Sequence, residues 1–100
     1  MRVIPLSGRL DAATAPEAEA QLLAAIEPGA QVVADLADVH HLSPGGVAVL
    51  LKAAKAAAAA GATLAIAAPH PEVRGALEAA GLDRVLPIAP SADAAAGALG

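Results

Sequence analysis

QVVADLADVHHLSPGGVAVLLKAAKAAAAAGATLAIA, residues 31–67, carries the alternation that decides the fold. Gln31–Leu36 is a near-continuous apolar run of strand length, the pattern of a strand buried on both faces. Asp35 to Leu42 carries the chain out of it. Ser43-Pro44-Gly45-Gly46 then opens a helix: a hydroxyl to cap it, a proline for its first position, and glycines that permit tight packing. The helix is expected over 46–60. Val47, Leu50, Leu51, Ala54 and Ala58 fall on one face, and Lys52 and Lys55 point to water. Gly61 suits the left-handed residue that ends it. The alanines at 56–60 read as helix propensity rather than low complexity. Thr63 to Ala67 is the next strand, so the stretch is one strand–helix–strand crossover.

The same rhythm continues outward. Val3–Leu6 reads as a strand closed by Ser7-Gly8, and Pro5 removes a ladder donor, which places it at an edge or a bulge. A helix follows over 15–26, with Thr14 as cap, Glu17 as capping-box partner and Pro16 in the first turn. Its buried stripe is Ala15, Ala18, Leu22 and Ile26, with Leu23 beside it, and Pro28-Gly29 stops it. Downstream, Pro69-His70-Pro71 is a turn, and a helix over 72–80 buries Val73, Ala76, Leu77 and Ala80. Val85–Ile88 is a strand, and Ser91 caps a last helix over 92–99. The order βαβαβαβα predicts an α/β domain: a mostly parallel or mixed sheet with about four helices. The expected core is Leu22, Ile26, Val33, Leu36, Val47, Leu50, Leu51, Leu64, Ile66, Leu77, Val85 and Ile88.

Composition narrows the function. One hundred residues without a linker are one domain, 1–100. The apolar fraction of 57% contains 31 alanines, while Leu, Val, Ile and Met together supply 26 residues and aromatics none. Such a core packs through small faces and has a thin stability margin. No apolar run approaches a membrane span, and the N-terminus has no signal-peptide core. The absence of cysteine excludes disulfides and thiolate chemistry. A net charge of −4 without stacking aromatics argues against nucleic acid. A cytoplasmic protein is the expectation.

Asp38, His40 and His41 suggest a metal cluster, but adjacent histidines on extended chain point to opposite sides, so no metal site is expected. Ser43 lies near His41, yet no GxSxG elbow is present; no Walker lysine follows Gly45-Gly46, and no GxGxxG occurs. The chain therefore shows no catalytic set and no cofactor signature. The start of the second helix remains. Its free N–H groups suit an anion or a partner's carboxylate, or serve only to cap and pack the helix.

LSGRLD (Leu6 to Asp11), VVADLADVHHLSPGGVAVLL (Val32 to Leu51) and AAGATLAIAAPHPEVRGALEAAGLDRVLPI (59–88) together resemble the STAS domain, the family of bacterial anti-sigma factor antagonists. The resemblance implies a non-enzymatic interaction module that binds an anti-sigma serine kinase or related regulatory ATPase. Its implied contact residues are Asp11, Asp35, His40, His41, Ser43, Pro44, Gly45, Gly46 and Val47. Switching members carry Asp-Ser-x-Gly at the second helix, with the serine phosphorylated. Here Ser43 holds the Asp position, Pro44 the acceptor position and Gly46 the closing glycine. Pro44 has no hydroxyl, so no phosphorylation is expected there, and Ser43 is an off-register candidate only. STAS domains also usually open with a hairpin, so the resemblance implies that this chain starts inside its second strand, with Met1 to Leu6 as an exposed edge or with the true start upstream. The resulting edge would admit a partner strand or a second copy, as a homodimer. Two other readings are an accessory subunit of a transporter ATPase complex and a small anion- or nucleotide-binding domain.

Overall fold

The computed structural model describes residues 1–99. Its elements are β1 (Arg2–Leu10), α1 (Ala15–Ala25), β2 (Gln31–Leu42), α2 (Pro44–Ala60), β3 (Thr63–Ala67), α3 (Pro71–Ala79), β4 (Ile88–Ala89) and α4 (Ala92–Leu99). A 3-10 turn over Leu82–Arg84 precedes β4. The strands form one sheet in chain order, β1-β2-β3-β4, and every pair is parallel. Alternation along β2 builds two layers. Val32 and Ala34 face the main core, where Leu22, Leu50, Val73 and Leu77 of α1, α2 and α3 pack. Val33 faces the other way, into a small cluster with Ala65, Ala67 and Ala89 that Ala95 of α4 closes.

Both of the first two strands are longer than expected. β1 runs on through Ser7-Gly8 to Leu10, and β2 through the segment read as a loop to Leu42. Bulges make this possible. Pro5 pairs with Asp35 but Ser7 with Asp38, and Gly8 pairs with Val39 but Arg9 with His41, so β2 carries one extra residue in each interval. Gly8 takes a positive φ of 73°, which a glycine accepts without strain and which need not end a strand.

The strand expected at Val85–Ile88 is corrected to the 3-10 turn and the short β4. Leu82 and Leu86, spaced i and i+4, are the buried residues there, and their spacing is helical. Val85 is 56% exposed in consequence. In α2 the buried face is Gly46, Val49, Leu50, Ala53, Ala54 and Ala57, rotated from the expected one; Leu51 and Ala58 are exposed. Leu23 is likewise exposed, Ala80 lies outside, and Ile26, Val47 and Ile88 are only partly buried against the core. Gly61 ends α2 with φ 67°, and Ser91 Oγ accepts the Ala94 N–H at 3.1 Å, both as expected.

Candidate functional site

β3 pairs with β2 only as far as Asp35↔Ala67. Beyond that point β1 and β2 pair with each other alone, from Ser7↔Asp38 to Leu10↔Leu42, and project as a two-stranded ribbon. α2 begins at the ribbon's tip. The Ser43 N–H donates to the Leu10 carbonyl at 3.0 Å, and Ser43 Oγ accepts the Gly46 N–H at 3.4 Å as the helix cap. Pro44 takes the first helical position, where no backbone donor is needed, and its ring is exposed.

The two glycines that follow are there for packing. A Cβ on Gly45 would stand 2.9 Å from the Ala12 nitrogen, and one on Gly46 would collide with the Leu10 carbonyl oxygen. Only glycines let the first turn of α2 seat on the loop between β1 and α1. Gly46 is buried, so no partner can touch its surface.

Asp11 holds that loop. Its Oδ1 accepts the Ala13 N–H at 3.0 Å and the Thr14 N–H at 3.2 Å, and its Oδ2 lies 3.4 Å from Arg9 Nε. The Thr14 N–H above all holds the carboxyl below its usual value; burial opposes it, and Arg9 and Ala13 add smaller lowering effects. The expected capping box is corrected here. Thr14 makes no side-chain cap bond; its hydroxyl donates to the Arg9 carbonyl at 2.7 Å and accepts the Asp11 N–H at 3.0 Å. Asp11 supplies the side-chain cap that the Thr14 hydroxyl and the Glu17 carboxylate were expected to supply together.

Asp11, Ser43, Pro44, Gly45, Gly46 and Val47 thus share one end of the molecule. Asp35 does not join them. It lies at the base of the ribbon, roughly 20 Å down the strand from Ser43, and its Oδ1 accepts the Ala37 N–H at 3.0 Å, shaping the first bulge. His41 pairs with Arg9 near the tip, and His40 is the extra residue of the second bulge. Its ring meets His70 at 5.4 Å between centroids. Sequence reasoning missed the wall beside Ser43: Leu42, Pro44 and Val47 face Ala76 and Ala79 of α3 and Ala80, the residue that caps it, across a shallow apolar groove. The signal was present, since Ala76, Ala79 and Ala80 follow i, i+3, i+4 spacing on one side of α3 and its cap.

The STAS domain family matches residues 1–95 of the chain. BtrV of Bordetella bronchiseptica, assigned as an anti-sigma factor antagonist, is 33% identical over 99 residues, covering 98% of this chain and 85% of the relative. The crystal structure of an anti-sigma factor antagonist from Mycobacterium paratuberculosis superposes with a TM-score of 0.86 at 28% identity, over 97% of this chain and 83% of that one. A sulfate transporter family protein from Wolinella succinogenes shares the fold, with a TM-score of 0.83 at 17% identity over 98% of this chain and 83% of that one. A family match over nearly the whole length, a relative at this identity and the parallel sheet with its ribbon agree: the chain belongs to the STAS domain family, and is similar to its anti-sigma factor antagonists.

Proposed function

We propose that this chain is a non-catalytic, cytoplasmic interaction module that binds an anti-sigma factor of the serine kinase-type ATPase class, without being switched by phosphorylation at the start of α2. The observation that carries this reading is Pro44, exposed at the first position of α2 with no hydroxyl to modify. Ser43 beside it spends its oxygen on the Gly46 N–H, and a phosphate there would add about −1.5 to −2 charges and remove the cap. Contact is made by Pro44 and Val47, by the Asp11 loop, and by the groove against Ala76 and Ala79. Gly45 and Gly46 act from beneath, by letting α2 sit close. Asp35 shapes the ribbon on which this face is carried, and His41 borders it.

Two features weigh against the anion-binding alternative. The helix start is capped by its own serine. The sheet also runs in chain order, so it has no topological switch point where a ligand crevice would open.

The test uses the purified chain, a candidate anti-sigma ATPase from the same genome, and ATP. The wild type binds and keeps its mass. The double variant Ser43→Asp, Pro44→Ser binds, gains one phosphate and then dissociates. Val47→Asp and Ala79→Arg, both away from fully buried positions, weaken the complex about tenfold or more while the circular dichroism spectrum is unchanged. Phosphorylation of the wild type on Ser43 overturns the reading.

A further inference from the structure

Both bulges of β2 converge on one side chain, His70. The first bulge presents the Ala37 carbonyl, to which His70 Nε2 lies 2.6 Å away. A carbonyl only accepts, so that nitrogen carries the proton, and in the neutral ring Nδ1 then holds the lone pair. The second bulge holds His40, whose ring lies against His70. The connection that delivers His70 is short and strained. Ala68 sits at φ 55°, a left-handed conformation that an alanine rarely takes, and its N–H is tied to the Ala89 carbonyl at 2.8 Å. Glu72, in the first turn of α3, lines the same open cleft as His40, His70 and Pro71.

We propose that His40 and His70 form a two-imidazole site for a borderline divalent cation of the zinc, nickel or copper class. A backbone carbonyl that fixes one ring nitrogen as N–H is the usual outer partner of a metal-bound histidine, because it sets the tautomer and turns the other nitrogen outward. The ring separation agrees with this. A nitrogen about 2.0–2.1 Å from zinc puts each ring centre about 3.2 Å from the ion, and centres 5.4 Å apart then subtend about 115°, near the tetrahedral angle. Among the described residues no set of three His, Cys, Asp or Glu side chains is assembled, so water fills the remaining positions unless Glu72 swings in. Binding is therefore reversible and modest. The ion ties the ribbon to the first turn of α3, next to the groove wall.

Titration calorimetry with zinc chloride or nickel chloride in a non-chelating buffer tests this. One ion binds per chain, raises the Tm and is removed by a chelator, whereas magnesium, which prefers oxygen ligands, has no effect. His40→Gln and His70→Gln each weaken binding about tenfold or more, and His41→Gln changes it less than about twofold. Both histidines are exposed, so the variants should fold. Independently of any variant, long-range proton–nitrogen NMR of the wild type shows zinc moving the His70 Nδ1 resonance and leaving Nε2 protonated. No binding up to about 1 mM zinc, or equal binding by the double variant His40→Gln, His70→Gln, overturns the proposal.

Discussion

Asp11 shows how much of the site rests on single side chains. Its carboxylate holds the loop on which the first turn of α2 is seated, and it does so best when ionised. The folded carboxyl titrates below its usual value of 3.8, first because of the Thr14 N–H. Its stabilisation is thus present above that usual value and is lost as pH falls through the lowered folded one. Asp11→Asn keeps an acceptor and removes the charge. It should lower the Tm at pH 7 by a few degrees, and the difference from wild type should shrink in a series of melts as pH falls from the usual carboxyl value through the lowered folded one. A constant difference across that range would show that the charge is idle. Asp11 was marked through its resemblance alone: its bonds to the Ala13 and Thr14 N–H groups have ordinary cap spacing, but Thr14, followed by Pro16 and Glu17, offered a competing cap. Ser43, with proline next and a glycine three residues on, was legible from the residues themselves. His70 was not, since its role depends on two bulges that no local pattern announces.

At the scale of elements, helix existence was easy to read and helix phase was not. In α2 the residues 53–60 are alanines except Lys55, so either of two neighbouring faces could turn inward with little difference in apolar area. Contacts from outside the helix choose between them. Gly46 must lie under the Leu10 carbonyl, and Lys52 Nζ meets Glu19 Oε1 of α1 at 3.2 Å. That rotation buries Leu50 fully and leaves Leu51, its neighbour, 37% exposed. The two leucines make an internal control. Leu50→Ala should cost about 2–5 kcal/mol, enough to unfold much of a domain with so few large side chains. Leu51→Ala should stay within about 0.5 kcal/mol. Urea melts of the pair decide the phase, and equal losses would put it between the two. β2 taught the opposite lesson. ADVHHL alternates poorly because a bulge residue breaks the period of two, so a strand was read as a loop.

For the whole molecule, the open question is the sheet's outer edge. Among the described residues β1 borders β2 alone, so one row of its backbone groups has no ladder partner there. The hydrogen bonds fix which row. The Thr63 N–H donates to the Ala30 carbonyl, so the even residues in the first half of β2 turn toward β3 and the odd ones toward β1. With Val3 opposite Val33 and Pro5 opposite Asp35, the even residues of β1 then turn inward and Pro5 turns outward. Its missing N–H therefore costs the sheet nothing and leaves a gap in the row that an incoming strand would need. The charges of β1 add little protection, because Arg2 is drawn to Glu27 and Arg9 to Asp11, each at 3.4 Å. Pro5 thus works against the homodimer that an open edge invites. Pro5→Val restores a donor in the exposed row and adds a good strand former without touching the core. The variant should keep its circular dichroism spectrum and sediment as a concentration-dependent dimer or larger species, under conditions where the wild type shows less association. If wild type and variant associate equally, the edge is guarded by something other than the proline; if the wild type alone associates, pairing does not run through β1.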